Sequence, residues 1–391
     1  MSVCIYDNII IGGGIAGLYM AYKLKKANKK FLLIEKNEII GGRAIHKPFH
    51  GANVSSGAGV GRKDTNPILI KLCNELKIDI KESKAIVEYK LEEKCDVLQI
   101  FAILKQKYLT NPKYYNTITF RKFGRKILGS KLYELFVISN GYSDFEDADV
   151  YDTLFHYGIE DNVSGWDKLF INWTELINKL GDSIGYENIK LSTQVKKINR
   201  NNLFELETDK TINYYGKKII IATTANITQQ LLPEHTILKQ IHSQKFLRIY
   251  AKLNKKICEK YTVVNGVLQK IIPIKDNIFM IAYADNKKAM ILDKILNSCY
   301  AKLILEKLLE YTFDIKDIKI LDSLYFYWDE GTHYYEPMKN QFKLREDFIK
   351  KCQYPEKNIF VIGEMVSLLQ GWVEGALQSV ECLFTSNTKI N

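Results

Sequence analysis

The sequence predicts an α/β protein in which a parallel-sheet, Rossmann-like unit is interleaved with a second domain of mixed sheet and helices. Three observations predict it. A β-branched apolar run, Ile9-Ile10-Ile11, stops at Gly12-Gly13-Gly14 and gives way to Leu18, Met20, Ala21 and Leu24 at helical spacing. A second apolar run, Phe31-Leu32-Leu33-Ile34, ends at an acid, Glu35. Far along the chain, "NIFVIGEMVSLLQGWVEGALQSVECLF" again places an apolar strand, a glycine break and a helix, which opens at about Trp372.

The first two observations form one unit. A continuous β-branched run suits a strand buried on both faces. Strand, glycine turn, helix, strand and acid match the dinucleotide-binding fingerprint in the context that gives it meaning. Gly12 makes the tight turn, Gly14 lets a pyrophosphate approach the backbone, and Gly17 lets helix and strand pack closely. The free N–H groups and dipole of the helix start, at Ile15 and Ala16, favour phosphate. Glu35, followed by Lys36, is placed to accept hydrogen bonds from ribose hydroxyls. The lysines of "KLKKANKK" complement the negative helix end and stay solvated.

The remaining elements follow in order. "EIIGGRAIHKPFHGANVSSGAGVGR" (Glu38 to Arg62) is a glycine-dense loop region. Residues 66 to about 182 read as mostly helical, as in "NPILIKLCNEL" and "FINWTELINKL". Strands return with "NIKLSTQVKKINR", "LFELETD" and "KKIIIATTA", and a β-rich stretch follows with "KFLRIYAKL" and "GVLQKIIPIKDNIFMIAYA". A helix is expected around Ala301 to Tyr311. In "KFLRIYAKL" the strand period puts Phe246, Arg248 and Tyr250 on one face and Leu247, Ile249 and Ala251 on the other. The apolar face belongs in the core. The face with Arg248 looks into a cavity, where a buried charge needs a partner: a flavin, a substrate carboxylate, or a neighbouring acid.

Bulk properties narrow the function. At 391 residues with 46% hydrophobic, the chain can bury a large core of one or two interleaved domains. The net charge of +11 permits weak attraction to anionic surfaces. No basic stripe is interleaved with aromatics, so specific nucleic-acid recognition is not expected. The seven cysteines include no CxxC pair, and neither they nor the six histidines show metal-ligand spacing. Reduced thiols in a cytoplasmic protein are the simplest reading. No secretory signal and no apolar run of the length that spans a bilayer is present. A second helix N-terminus late in the chain points to flavin adenine dinucleotide (FAD) rather than a nicotinamide cofactor. The isoalloxazine end needs its own donors, and N–H groups near Trp372 and Val373 could stabilise charge there.

On "IIIGGGIAGL", "LLIEKNEIIGGR", "STQVKKI", "KKIIIATTANIT" and "VIGE…QGWVEGALQS" the chain resembles the flavin-containing amine oxidases, monoamine and polyamine oxidases among them, over nearly its whole length. It is similar as well to amine-oxidase-like proteins of large DNA viruses, in which case a virion location is open beside the cytoplasm. The N-terminal motifs fit many FAD proteins. "GWVEGALQS" is more specific, and "YFYWDEGTHYYEP" (Tyr325 to Pro337) looks like the family's aromatic segment over the flavin.

The resemblance implies an FAD-binding domain from residues 1–85, 186–240 and 350–391, and a substrate domain from 86–185 and 241–349. It assigns pyrophosphate to Gly12, Gly14 and Gly17, ribose to Glu35, the second phosphate loop to Gly42 and Arg43, and the flavin flank to Gly57, Ala58, Gly59 and Arg62. Val195 is implied at adenine, Gly363 and Glu364 at the ribityl-phosphate portion, and Val373 at the flavin carbonyl. Of the two aromatics that sandwich an amine in the family, Trp372 matches one, and His333 or Tyr334 the other. Two departures stand out. Thr332 occupies the place of the cysteine that links FAD covalently, so noncovalent FAD is expected. Arg248 occupies the place of a lysine that reaches flavin N5 through water. The expected function is FAD-dependent oxidation of an amine C–N bond by hydride transfer to flavin N5, with O2 reduced to hydrogen peroxide. The substrate is then a small amine or amino-acid-like molecule. The alternatives are another FAD reaction on this scaffold, a desaturase or sugar-nucleotide mutase, or a flavin-binding protein without activity. A mutase needs clustered Arg and Tyr around a diphosphate, and no such cluster is visible in the sequence.

Overall fold

A computed structural model describes residues 4–385. Its first sheet has seven strands. In spatial order they are Val195–Arg200, Phe204–Thr208, Tyr214–Ile221, Ile5–Ile11, Phe31–Ile34 and Ile189–Lys190, with Ile359–Val361 also paired to Tyr214–Ile221. Ile5–Ile11 runs parallel to both of its neighbours. Alternation along these strands feeds two cores. Ile10, Leu33 and Ile220 point to one side, with Leu18, Met20 and Leu24 of the helix Ile15–Lys26. Ile9, Ile11, Leu32, Ile34, Ile219 and Ile221 point to the other. The β-branched run is therefore buried on both faces, as its composition requires.

The second sheet has six strands, in the order Ile320–Tyr335, Ile241–Leu253, Ile278–Asp285, Lys270–Lys275, Tyr261–Val264 and Val87–Lys90. Its central pairs are antiparallel. Leu247, Ile249 and Ala251 lie in an apolar cluster with Phe279, Ile281, Leu305 and Leu309. Helices Val97–Thr110, Phe120–Asn140 and Val150–His156 close their own aromatic core around Phe120, Phe123, Tyr133 and Phe136.

Three readings are refined. The stretch 66–182 is less helical than its pattern suggests: Ile80–Lys84, Val87–Lys90 and Asp167–Ile171 are strands. The helix Trp173–Ile184, placed by sequence in the second domain, packs Trp173, Leu176, Ile177 and Leu180 into the core of the first sheet. The last helix runs Val373–Thr385, one residue after its expected start, and packs on the helix Ile15–Lys26. Its Glu374 accepts hydrogen bonds from the N–H groups of Ile68 and Leu69, at 2.9 Å each, and so caps the helix Pro67–Glu75.

Candidate active site

Two glycines of the first turn are demanded by packing. Gly12 has φ +108°, and a Cβ on it would lie 2.5 Å from the Ala222 carbonyl oxygen. A Cβ on Gly17 would lie 2.0 Å from the Gly12 oxygen. Gly14 is different. Its backbone is ordinary and a Cβ there meets nothing within 4 Å. The space above Gly14 at the helix start is open. Glu35 leans toward it: its carboxylate accepts the Gly13 N–H at 2.7 Å and the Asn37 N–H at 2.8 Å.

That space is one end of a cavity of about 1680 Å³. Gly12, Gly14, Ile15, Ala16, Glu35, Lys36, Gly42, Arg43, Gly57, Ala58, Gly59, Arg62, Val195, Gly363, Glu364, Trp372 and Val373 all line it. So do Arg248 and His333. Gly17 does not, being packed against the strand. Tyr334 does not either. Its ring lies against that of His242, at 5.3 Å between centroids, whereas its neighbour His333 reaches the cavity.

His333 faces the cavity but is 4% exposed and committed on both ring nitrogens. The Ala225 N–H donates to Nε2 at 3.1 Å, and Nδ1 makes a short hydrogen bond with Glu364. The ring is thus a bridge inside the wall, not a free face for an amine. Glu364 also accepts from Arg43 at 3.1 Å and from the Gly371 N–H at 2.9 Å. Burial opposes its charge, yet His333, Arg43 and the Gly371 N–H hold its carboxyl down at about 2. Arg43 continues the lattice by donating to the carbonyls of Glu330 and Gly331 at 3.0 and 2.5 Å. The glycine-rich loop, the aromatic strand and the last glycine turn are locked together by this one charged chain.

Trp372 presents a ring to the Arg62 guanidinium at 4.5 Å and donates Nε1–H to Asn66 at 2.8 Å. Arg248 comes from the inward face of Ile241–Leu253, between Phe246 and Tyr250, which also line the cavity. Tyr142, Tyr261 and Tyr283 complete that end. The fold therefore assembles an Arg and Tyr cluster that the sequence does not display, because its members come from four separate segments. Missed as well were Trp328, whose Nε1–H donates to the Ser56 carbonyl at 2.7 Å, and Asp144, which accepts from the Tyr157 hydroxyl at 2.6 Å. Burial, with Asp285 nearby, pushes the Asp144 carboxyl up to about 7. Lys270 is fully buried behind Tyr142, against its ring, and does not line the cavity.

A sheet with a parallel centre and a glycine turn opening on a large cavity is the architecture of a dinucleotide-binding α/β protein. The comparisons agree. A family profile for NAD(P)-binding Rossmann-like domains matches residues 10–76. The uncharacterised protein R188 of Acanthamoeba polyphaga mimivirus is 23% identical, with 96% of this chain and 92% of that protein covered. The fold is that of putrescine oxidase. A P15I-A394C double mutant from a redesign of cofactor binding superposes with a TM-score of 0.78 at 14% identity, covering 97% of this chain and 98% of that one. Wild-type putrescine oxidase bound to putrescine gives 0.76 at 13% identity, with the same coverage.

Proposed function

We propose that the protein is an FAD-dependent oxidoreductase that oxidises the C–N bond of a small amine. The observation that carries this is the single cavity joining the open space over Gly14 to the aromatic end at Trp372 and Arg248. Its length of lining suits a dinucleotide with a reactive ring at one end and a substrate beyond it. The residues fit the cofactor. Gly14 and the helix N-terminus would take the pyrophosphate, Glu35 the adenosine ribose, Val195 the adenine, and the N–H groups at Trp372 and Val373 the flavin edge. No cysteine lines the cavity among the described residues, which supports noncovalent binding.

A bound flavin supplies the acceptor for two electrons and a proton. The chain supplies the rest. Trp372, backed by Arg62, offers a flat wall that orients an amine. Tyr142, Tyr261 and Tyr283 line the end beyond Arg248 and exclude water there. The Arg43–Glu364–His333 chain fixes the loops that flank the flavin position. The overall reaction is amine, oxygen and water giving carbonyl compound, ammonia and hydrogen peroxide.

The test is direct. Purified protein should carry FAD in near-equimolar amount and form peroxide, removed by catalase, with members of an amine and amino-acid panel. FAD present with no flavin reduction by any of them would leave a flavoprotein with another reaction. Absence of FAD after reconstitution would remove the reading altogether.

A further inference from the structure

We propose that Arg248 is an anion-binding residue of this site and that the amine oxidised carries a carboxylate. This rests on the amine-oxidation reading for the word "oxidised", but not for the anion site itself.

Arg248 is 5% exposed. One guanidinium nitrogen donates to the Tyr283 hydroxyl at 3.0 Å, and the other reaches the Ser55 carbonyl only at 3.5 Å. That carbonyl is already taken at 2.8 Å by the Tyr250 hydroxyl. The group lies over the Tyr283 ring, 4.4 Å from its centre. Among the described residues it forms no ion pair with any carboxylate, whereas Arg43, Arg121, Arg125, Arg200 and Arg345 each have one. Of the acids lining the cavity, Asp144 is held by Tyr157 and Glu259 by Lys256. A guanidinium has five N–H donors in a planar fork that matches a carboxylate. Here its partners are all neutral, the Tyr283 and Tyr250 hydroxyls and a distant carbonyl, so the charge of a 5% exposed group is left without a counter-ion. An isolated buried charge is costly, and the cost is recovered when an anion docks. Arginine does not deprotonate, so this cation is permanent and repels a simple diamine. An α-amino acid or short ω-amino acid satisfies both ends: carboxylate on Arg248, amine toward the flavin position.

Benzoate, benzylamine and uridine diphosphate are titrated by calorimetry into FAD-loaded native protein, Arg248→Met and Arg248→Lys. The expected result is benzoate binding that weakens on the order of tenfold to a hundredfold in Arg248→Met, is partly kept in Arg248→Lys, and is accompanied by unchanged or tighter benzylamine binding. Benzoate affinity that is the same in native protein and Arg248→Met overturns the proposal. So does uridine diphosphate binding that depends on Arg248 while benzoate fails to bind, which marks a diphosphate site. Should Arg248→Met be insoluble, Arg248→Gln, which also removes the charge, carries the same comparison. Anaerobic bleaching of the flavin separates this inference from the oxidase reading. Bleaching by simple amines but not amino acids keeps the oxidase and removes the carboxylate. Arg248-dependent benzoate binding with no bleaching by any compound keeps the anion site and removes the oxidase.

Discussion

Gly14→Ala separates a glycine needed by a ligand from one needed by the fold. Gly14 caps the helix Ile15–Lys26 with φ −73° and ψ 178°, angles that any residue adopts. In the ligand-free chain two small terms oppose each other. Fewer unfolded conformations stabilise by about 0.4–1 kcal/mol. Alanine is the poorer N-cap by about 1 kcal/mol. Since nothing lies within 4 Å of the new methyl, no clash is added. The net change is within about 1 kcal/mol, a Tm shift of at most about 4 °C for a chain of this size. On the proposed placement of the cofactor, the methyl would stand where the pyrophosphate meets the helix start. Overpacking costs about 1–3 kcal/mol and a weakened N–H bond to a charged oxygen about 1.5–3 kcal/mol. Together they give roughly 3 kcal/mol, or about a hundredfold in Kd. Deflavinated protein is titrated with FAD by flavin fluorescence, beside melts of the apoprotein. An unchanged Kd refutes the placement of pyrophosphate over Gly14. A melting point lowered by more than about 10 °C refutes the claim that the space is free. Gly17→Ala is the contrast: its methyl would sit 2.0 Å from the Gly12 oxygen, so it should cripple the apoprotein itself.

The other expectations are briefer. Glu35→Ala strips the acceptor from the Gly13 and Asn37 N–H groups, so the apoprotein should lose about 2 kcal/mol and FAD affinity should fall tenfold or more; a normal FAD Kd would limit Glu35 to the turn. Acid precipitation should release all of the yellow chromophore to the supernatant, and colour in the pellet contradicts noncovalent binding. Glu364 has a folded pKa depressed from 4.5 to about 2, so its stabilisation is complete above about pH 5 and is lost as pH falls toward 2. That is about 3 kcal/mol at neutral pH. Urea midpoints of Glu364→Gln should therefore fall less steeply than those of the native chain between pH 5 and 3, and parallel curves would show that Glu364 is not the titrating group.

The glycine-turn end of the cavity was legible because it is local. Gly12, Gly14, Gly17 and Glu35 sit within one strand–helix–strand unit, and short-range sterics fix their relations. Arg248 was legible in part, since strand alternation alone puts it beside Phe246 and Tyr250. What it meets was not. Tyr283 faces it through the register Arg248↔Tyr283 between two strands, and Ser55 comes from a distant hairpin. The choice between His333 and Tyr334 was not legible: only His333 lines the cavity. His333 and Tyr334 are neighbours in sequence, but a period of two sends them to opposite faces. No local pattern says which face is the cavity. The buried Glu364–His333–Arg43 chain was equally hidden, because each partner looks like an ordinary charged residue until the three segments meet.

The cap that Glu374 places on Ile68 and Leu69 joins residues 306 positions apart. On a ribosome adding about 5–20 residues per second, that gap is roughly 15–60 s. From residue 221 to residue 359 the edge of Tyr214–Ile221 that pairs with Ile359–Val361 stays bare, and the helix Ile15–Lys26 lacks its packing against Val373–Thr385 until those residues follow. Over that interval the nascent chain carries an open sheet edge and a partly uncovered helix face, a state that invites chaperone holding or aggregation. The cavity wall is complete only once residues 359–373 have been added, and a ribosome stalled before residue 359 holds a chain with part of that wall and nothing to close it.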